Sequence, residues 1–201
     1  MSDFPAAKSP AARAGLRNYI LVTAAYWSDT VTDGATRMLV LFYFYQLGYS
    51  PLAVASLFIF YEVFGIVTNL FGGYLGARFG LKSTLFIGLG TQLVALSMLA
   101  FAPQGWLVVA YVMVSQALSG IAKDMTKMSS KSAVKLIVPE DASATLYRWV
   151  SILTGSKNAL KGVGFFLGGL LLTLLDFQTA LKSLVALVGG TLILAALMMR
   201  G

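Results

Sequence analysis

The 201-residue sequence contains no cysteine and no histidine. Their absence excludes a disulfide, a zinc site of the usual kind, and any thiolate or imidazole catalysis. It also removes the soft thiolate ligands that hold a trivalent metalloid or Cu(I). The sequence has no phosphate-binding glycine loop and no nucleophile elbow. We therefore expect no enzyme, no metal and no cofactor, and we expect hard charges and amides to do any binding.

Charged residues are also scarce, at 11% of the sequence, whereas 58% of the residues are hydrophobic. A soluble domain carries about a quarter charged residues, because its surface must face water. Several apolar stretches approach the roughly 20 residues that a helix needs to cross a hydrocarbon core of about 30 Å. These runs lack the alternation of a porin strand, which favours helices over a barrel. The predicted fold class is an all-α integral membrane protein.

Turn residues divide the apolar sequence into six predicted transmembrane helices. Residues 1–17 are small and polar, and we interpret them as a cytoplasmic tail. Residues 18–201 are interpreted as one six-helix transmembrane domain. Its spans cover about 18–45, 52–77, 84–102, 106–134, 146–175 and 180–199.

The basic residues of the loops predict the orientation of these spans. The turns on one side, 46–51, 103–105 and 176–179, contain no Lys or Arg. The positive-inside rule then places both termini in the cytoplasm, with the chain in the inner membrane, and an even number of spans is required. The net charge of +7 is explained by basic loops, so no nucleic-acid partner is expected. The residues on the basic side are Arg13, Arg17, Arg78, Lys82, Lys135, Arg148 and Arg200.

A second set of ionisable residues lies inside the predicted spans. Each costs roughly 2.5–3.5 kcal/mol on insertion scales, and such residues usually line a pathway or pair with one another. A rise of about 1.5 Å per residue places Glu62, Lys157 and Lys161 near the middle of the bilayer. The bases outnumber the acids, and an anion that enters the cavity would stabilise this excess positive charge. We interpret the bases and one amide as binding a small anionic substrate: Arg37, Lys123, Lys127, Lys157, Asn158 and Lys161.

The acids in the spans have two possible roles, in proton coupling or in ion pairs with the bases. They are Asp29, Asp33, Glu62 and Asp124. The lysines at 123, 127, 131 and 135 have a second interpretation, as the polar face of an interfacial helix bound to anionic lipid. A different function is also open, that of a non-transporting assembly partner or a half-transporter that needs a second polypeptide. Separately, Gly164 and Gly168 form a small-xxx-small pair that predicts close helix contact.

Three segments resemble motifs of the major facilitator superfamily. The segment 73–82 resembles the family's signature loop between spans two and three, although Ala77 replaces the usual aspartate and Leu81 an arginine. The segments 116–120 and 164–169 are similar to motifs of spans four and five, and they follow in the same order. The resemblance implies one six-helix half of a transporter built from two parallel halves. The chain is then expected to work with a second six-helix half or as a homodimer.

The segments 32–40, 117–129 and 153–162 are similar, within that superfamily, to the organoarsenical efflux permeases of arsenic-resistance operons. These segments include most of the ionisable residues in the spans. The resemblance implies export of an arsenylated phosphoglycerate, by exchange for protons. It also implies a functional link to the glyceraldehyde-phosphate dehydrogenase that makes this substrate.

Overall fold

The computed structural model of the protein describes residues 10–138 and 143–199. Residues 1–9 of the predicted tail, most of the loop between spans four and five, and Arg200 lie outside the described residues. Within these two ranges all regular structure is helical, which confirms the all-α fold class. The α-helices are α1 (Pro10–Gln46), α2 (Pro51–Ser56), α3 (Ile59–Ala100), α4 (Val109–Ala133), α5 (Ser143–Leu174) and α6 (Phe177–Met198).

The predicted helix boundaries are shifted at several places, and α5 and α6 each begin three residues earlier than predicted, at Ser143 and Phe177. Helix α1 begins at Pro10, inside the stretch predicted as a tail. Helix α4 begins at Val109, because residues Gln104–Trp106 form a separate 3-10 turn. The second span consists of two pieces, since α2 ends at Ser56 and α3 begins at Ile59. These shifts of helix ends leave the predicted number of membrane crossings unchanged.

Helix α3 contains two predicted spans, which meet at Gly80. The φ angle of Gly80 is 74°, a value that residues with a Cβ rarely adopt. We call residues 59–79 the first arm and residues 81–100 the second arm. The first arm follows α4 in the same direction, with Tyr61 near Gly120 and Gly72 near Met128.

The second arm of α3 runs the other way along α4. Ser129 Oγ of α4 donates to the Leu81 carbonyl, at the start of the arm. Tyr111 Oη, near the start of α4, donates to the Met98 carbonyl, near the end of the arm. Both arms of α3 therefore pack against α4, and they cross the bundle in opposite directions.

Side-chain contacts place the loops at two opposite ends of the bundle. At one end, Lys82 Nζ donates to the Met199 carbonyl over 2.9 Å. At the other end, the rings of Tyr43 and Phe177 stack with their centroids 4.0 Å apart, and Gln178 Nε2 donates to the Ala102 carbonyl. This arrangement matches six crossings in which each one runs opposite to the one before it in the chain.

Helices α1 and α5 are held together by small residues. A Cβ at Gly164 would overlap the Val31 carbonyl oxygen, and one at Gly168 would overlap the Ala35 carbonyl oxygen. Gly34 of α1 faces the Gly164 backbone in the same contact. The predicted close contact at the small-xxx-small pair is therefore confirmed, and it brings the ionisable residues of α1 next to those of α5.

The outside of the bundle is apolar. Large hydrophobic side chains are strongly exposed there, among them Leu52 at 82% and Leu197 at 79%. Contiguous apolar exposure on this scale is typical of a surface that contacts lipid or another protein. Among the described residues, three segments are long and apolar enough to cross a membrane: Pro51–Gly72, Arg78–Ala100 and Phe177–Met198.

Candidate functional site

An open cleft of about 180 Å³ lies between α3, α4 and α5. At about 30 Å³ for each water of the liquid, this space is sufficient for a small oxyanion. Three bases and two acids contribute to its lining. The lining residues are Glu62, Gly65, Ile66, Asn69, Lys123, Asp124, Lys127 and Lys157.

A larger groove of about 620 Å³ lies between α1 and α5. It is bordered by residues such as Met38, Phe42 and Phe166, and it has no ionisable residue in its lining. Such a groove offers nothing to hold a charged ligand in a membrane. The smaller, charged cleft is therefore the candidate site.

Three ion pairs bring together six of the predicted site residues. Arg37 Nη2 lies 2.6 Å from Glu62 Oε1, and Lys127 Nζ lies 3.1 Å from Asp124 Oδ1. Lys161 Nζ lies 3.2 Å from Asp33 Oδ2 and so joins α5 to α1. Asp33 and Asp124 are almost buried, whereas the Glu62 side chain is 56% exposed. Each of these three acids, on α1, α3 and α4, thus pairs with one base.

Two lysines at the cleft have no carboxylate within ion-pair distance among the described residues. Among the described residues, Lys123 and Lys157 form no ion pair, although both line the cleft. Lys127, which also lines it, has a second acceptor in Asn69 Oδ1 at 3.2 Å. Because uncompensated charge is costly inside a membrane, these lysines favour an anionic ligand.

Tyr61 lies at the centre of this charge network, and the sequence reasoning missed it. Its side chain is fully buried, and its hydroxyl lies 2.7 and 2.8 Å from the two carboxylate oxygens of Asp33. The Arg37 guanidinium carbon and the Lys123 ammonium nitrogen each lie 4.2 Å from its ring centroid. In the sequence, Tyr61 belongs to an aromatic-rich run, which is also typical of a lipid-facing surface. Its position beside Glu62 is the one signal that pointed to the site.

Two predicted site residues belong neither to the cleft lining nor to the three ion pairs. Asp29 is buried between α1 and α4, where its Oδ2 accepts a hydrogen bond of 2.6 Å from Thr126 Oγ1. Its other oxygen, Oδ1, has no partner among the described residues. Asn158 is exposed on α5 and does not line the cleft. Its role in substrate binding stays a prediction.

The lysines of α4 and of the 3-10 turn that follows it, Val134–Leu136, separate into two groups. Lys123 and Lys127 line the cleft, whereas Lys131 and Lys135 are exposed towards the end of the bundle. Helix α4 also buries residues along most of its length against α1 and α3. This packing is that of a helix inside a bundle and does not fit a helix lying on the membrane surface.

A comparison with known protein families agrees with this architecture. The family model described as the Major Facilitator Superfamily matches residues 20–200. No curated protein matches the chain. The match covers nearly the whole chain and includes all the helices that form the cleft, and the family implies secondary transport. The chain therefore belongs to the Major Facilitator Superfamily.

Proposed function

We propose that the chain is an efflux permease that carries a small organic anion across the inner membrane, with protons as the coupling ion. The observation that carries this proposal is the pair of cleft lysines, Lys123 and Lys157, which form no ion pair among the described residues. A phosphate group carries about 1.5 to 2 negative charges at neutral pH, which matches this excess. Lysine is a compact point charge that suits such a group without fixing its orientation.

The proposed substrate is an arsenylated phosphoglycerate, a three-carbon phosphoester. The similarity of segments 32–40, 117–129 and 153–162 to organoarsenical efflux permeases supports this identity. Lys123 and Lys157 both lie in these segments. The chain would then act beside a glyceraldehyde-phosphate dehydrogenase, which supplies the substrate.

Proton coupling is assigned to the acids of the network. A proton on Asp33 or Asp124 would release the lysine that each one holds, and both carboxylates are almost buried. Glu62 is the more solvated member, and Asp29 is the one without an ion pair among the described residues. The resemblance supports exchange, with the proton moving inward while the anion moves outward.

We further propose that a second six-helix domain covers the cleft, either a second half or a second copy of this chain. Glu62 supports this arrangement, because its side chain is 56% exposed at a level predicted to be the middle of the membrane. A carboxylate at this depth faces a water-filled cavity or another protein rather than lipid. Halves related by an axis along the membrane normal would meet across such a cavity. The basic loops support an orientation with both termini in the cytoplasm.

The test is uptake into inverted membrane vesicles that contain the protein. Arsenylated phosphoglycerate, arsenate and phosphoglycerate are compared with and without a pH gradient. We expect uptake of the arsenylated compound that depends on the gradient, and a loss of at least about tenfold in Lys157→Ala, which is roughly 1.4 kcal/mol of binding.

The matched control is Lys182→Ala. Lys182 lies on α6, 5.7 Å from the Phe101 ring and away from the cleft, so uptake should be retained. Undiminished uptake by folded Lys157→Ala protein would contradict the cleft as the binding site. Absence of uptake for all three anions would favour the non-transporting assembly partner.

A further inference from the structure

Tyr61 makes contacts that distinguish it from the other aromatic residues of the bundle. Three cations from three helices surround its ring: Arg37 and Lys123 at 4.2 Å and Lys161 at 5.9 Å from the centroid. Its hydroxyl is bound to Asp33, so the side chain cannot swing away from the network without breaking that bond. The side chain therefore has one fixed position in the network.

The backbone at Tyr61 is fixed as well. A Cβ at Gly120 of α4 would overlap the Tyr61 carbonyl oxygen, so the two helices touch at this level. Lys123 follows Gly120 by three residues and thus lies on the same face of α4. One turn further along α3, a Cβ at Gly65 would lie 3.0 Å from Asp124 Oδ2. Backbone contact and side-chain contact together set where the Lys123 ammonium lies.

The three cations at the ring are not equivalent. Arg37 is paired with Glu62, and Lys161 is paired with Asp33. Lys123 has no carboxylate within ion-pair distance among the described residues, and it alone of the three lines the cleft. An aromatic ring attracts an ammonium through its quadrupole, yet it leaves the net positive charge in place. A carboxylate at the same position would hold Lys123 but cancel its charge.

We propose that Tyr61 is a positioning residue, whose ring holds the Lys123 ammonium at the cleft without neutralising it, so that it stays available to the anion. This inference rests on the proposed function and adds to it the residue that keeps the binding charge free. The hydroxyl has a separate task, which is to hold Asp33 together with Lys161. The two tasks can be separated, because phenylalanine keeps the ring and loses only the hydroxyl.

The test replaces Tyr61 by phenylalanine and then by phenylalanine with one, two and three ring fluorines, in the full chain. Fluorine weakens the ring quadrupole with little change of shape, so folding is preserved. Binding of 3-phosphoglycerate to the purified protein is measured by calorimetry. We expect Tyr61→Phe to bind within about threefold of the original. Successive fluorines should weaken binding to a total of about fivefold to thirtyfold, the range expected for a partly desolvated cation–π contact.

A purely structural role for Tyr61 would not follow the number of fluorines. In Lys123→Gln protein, fluorination should make no further difference to binding, because Lys123, the cation at the ring that lines the cleft, is gone. Tyr74→Leu is the matched control on the same helix, since Tyr74 is exposed beside Arg78 and does not line the cleft.

A flat fluorine series, or the same decline in the Lys123→Gln background, would overturn the assignment of Tyr61. If the original protein binds none of arsenylated phosphoglycerate, 3-phosphoglycerate, arsenate and phosphate, the proposed function fails and this inference fails with it. Binding that ignores the fluorines leaves the proposed function standing and removes only the role of Tyr61.

Discussion

The helices of the bundle differ in how each is suited to a membrane. The segments that are apolar enough to cross one by themselves belong to α2, the two arms of α3, and α6. Helices α1, α4 and α5 carry nearly all the ionisable residues of the network. The apolar helices can be surrounded by lipid, whereas the ionisable residues of the charged helices require partners on neighbouring helices. The ion pair between Asp33 and Lys161 and the glycine contacts between α1 and α5 hold two of these helices together.

The largest effect that tests this difference should come from the acids of α1. Asp33→Asn leaves Lys161 without its carboxylate in a nearly buried position and should lower the free energy of unfolding by about 3–5 kcal/mol. Asp29→Asn should cost only about 1 kcal/mol, because Asp29 has no ion pair among the described residues and an amide oxygen still accepts from Thr126. Unfolding in mixed micelles with increasing denaturing detergent measures both. Equal losses would mean that the ion pair does not hold α1 to α5.

A smaller effect is expected at the glycines. Gly164→Ala places a methyl group against the Val31 carbonyl oxygen, so α1 and α5 must separate, at a cost of about 1–3 kcal/mol. Gly190→Ala on α6 is the control, since a Cβ there meets nothing within 4 Å. The control should be neutral or slightly stabilising, because alanine is the better helix former. The same unfolding assay compares them, and a neutral Gly164→Ala would argue against close contact of the two helices.

The number of helices and the list of ionisable residues were predictable from the sequence. Apolar runs ended by residues such as Pro51 and Pro103 define the crossings, and a charge inside such a run is visible at once. The pair of Asp124 with Lys127, three residues apart, was predictable, and it is confirmed. The pairing between distant helices was not, because Asp33 and Lys161 are 128 residues apart and meet only through the packing of α1 on α5. The sequence also does not show which way Asn158 faces. Tyr61 was missed because its neighbours are aromatic, and only the fold separates it from them.

The smallest effect is expected outside the membrane, at the start of α6. Asp176 caps this helix, and its hydrogen bonds from the Thr179 side chain and backbone N–H hold the pKa of the carboxyl below its usual value of 3.8. A group with a lowered pKa in the folded state stabilises the protein above the unfolded value, and this stability is lost as the pH falls through the folded value.

The melting temperature should therefore fall slightly more between pH 5 and about pH 3 in the original protein than in Asp176→Asn. Asparagine keeps the cap and has no charge to lose. Identical pH profiles for the two proteins would show that the charge of Asp176 adds nothing to the stability of the capped helix.

The bend at Gly80 has a mechanical consequence. The two arms of α3 are joined at Gly80 without a loop, and both pack against α4. We therefore expect the arm with Tyr61, the arm near Ser129 and the lysines of α4 to move together as one block. A carrier that exposes its cargo by rocking whole domains has use for such a block. The bound anion would travel with its walls instead of sliding past them.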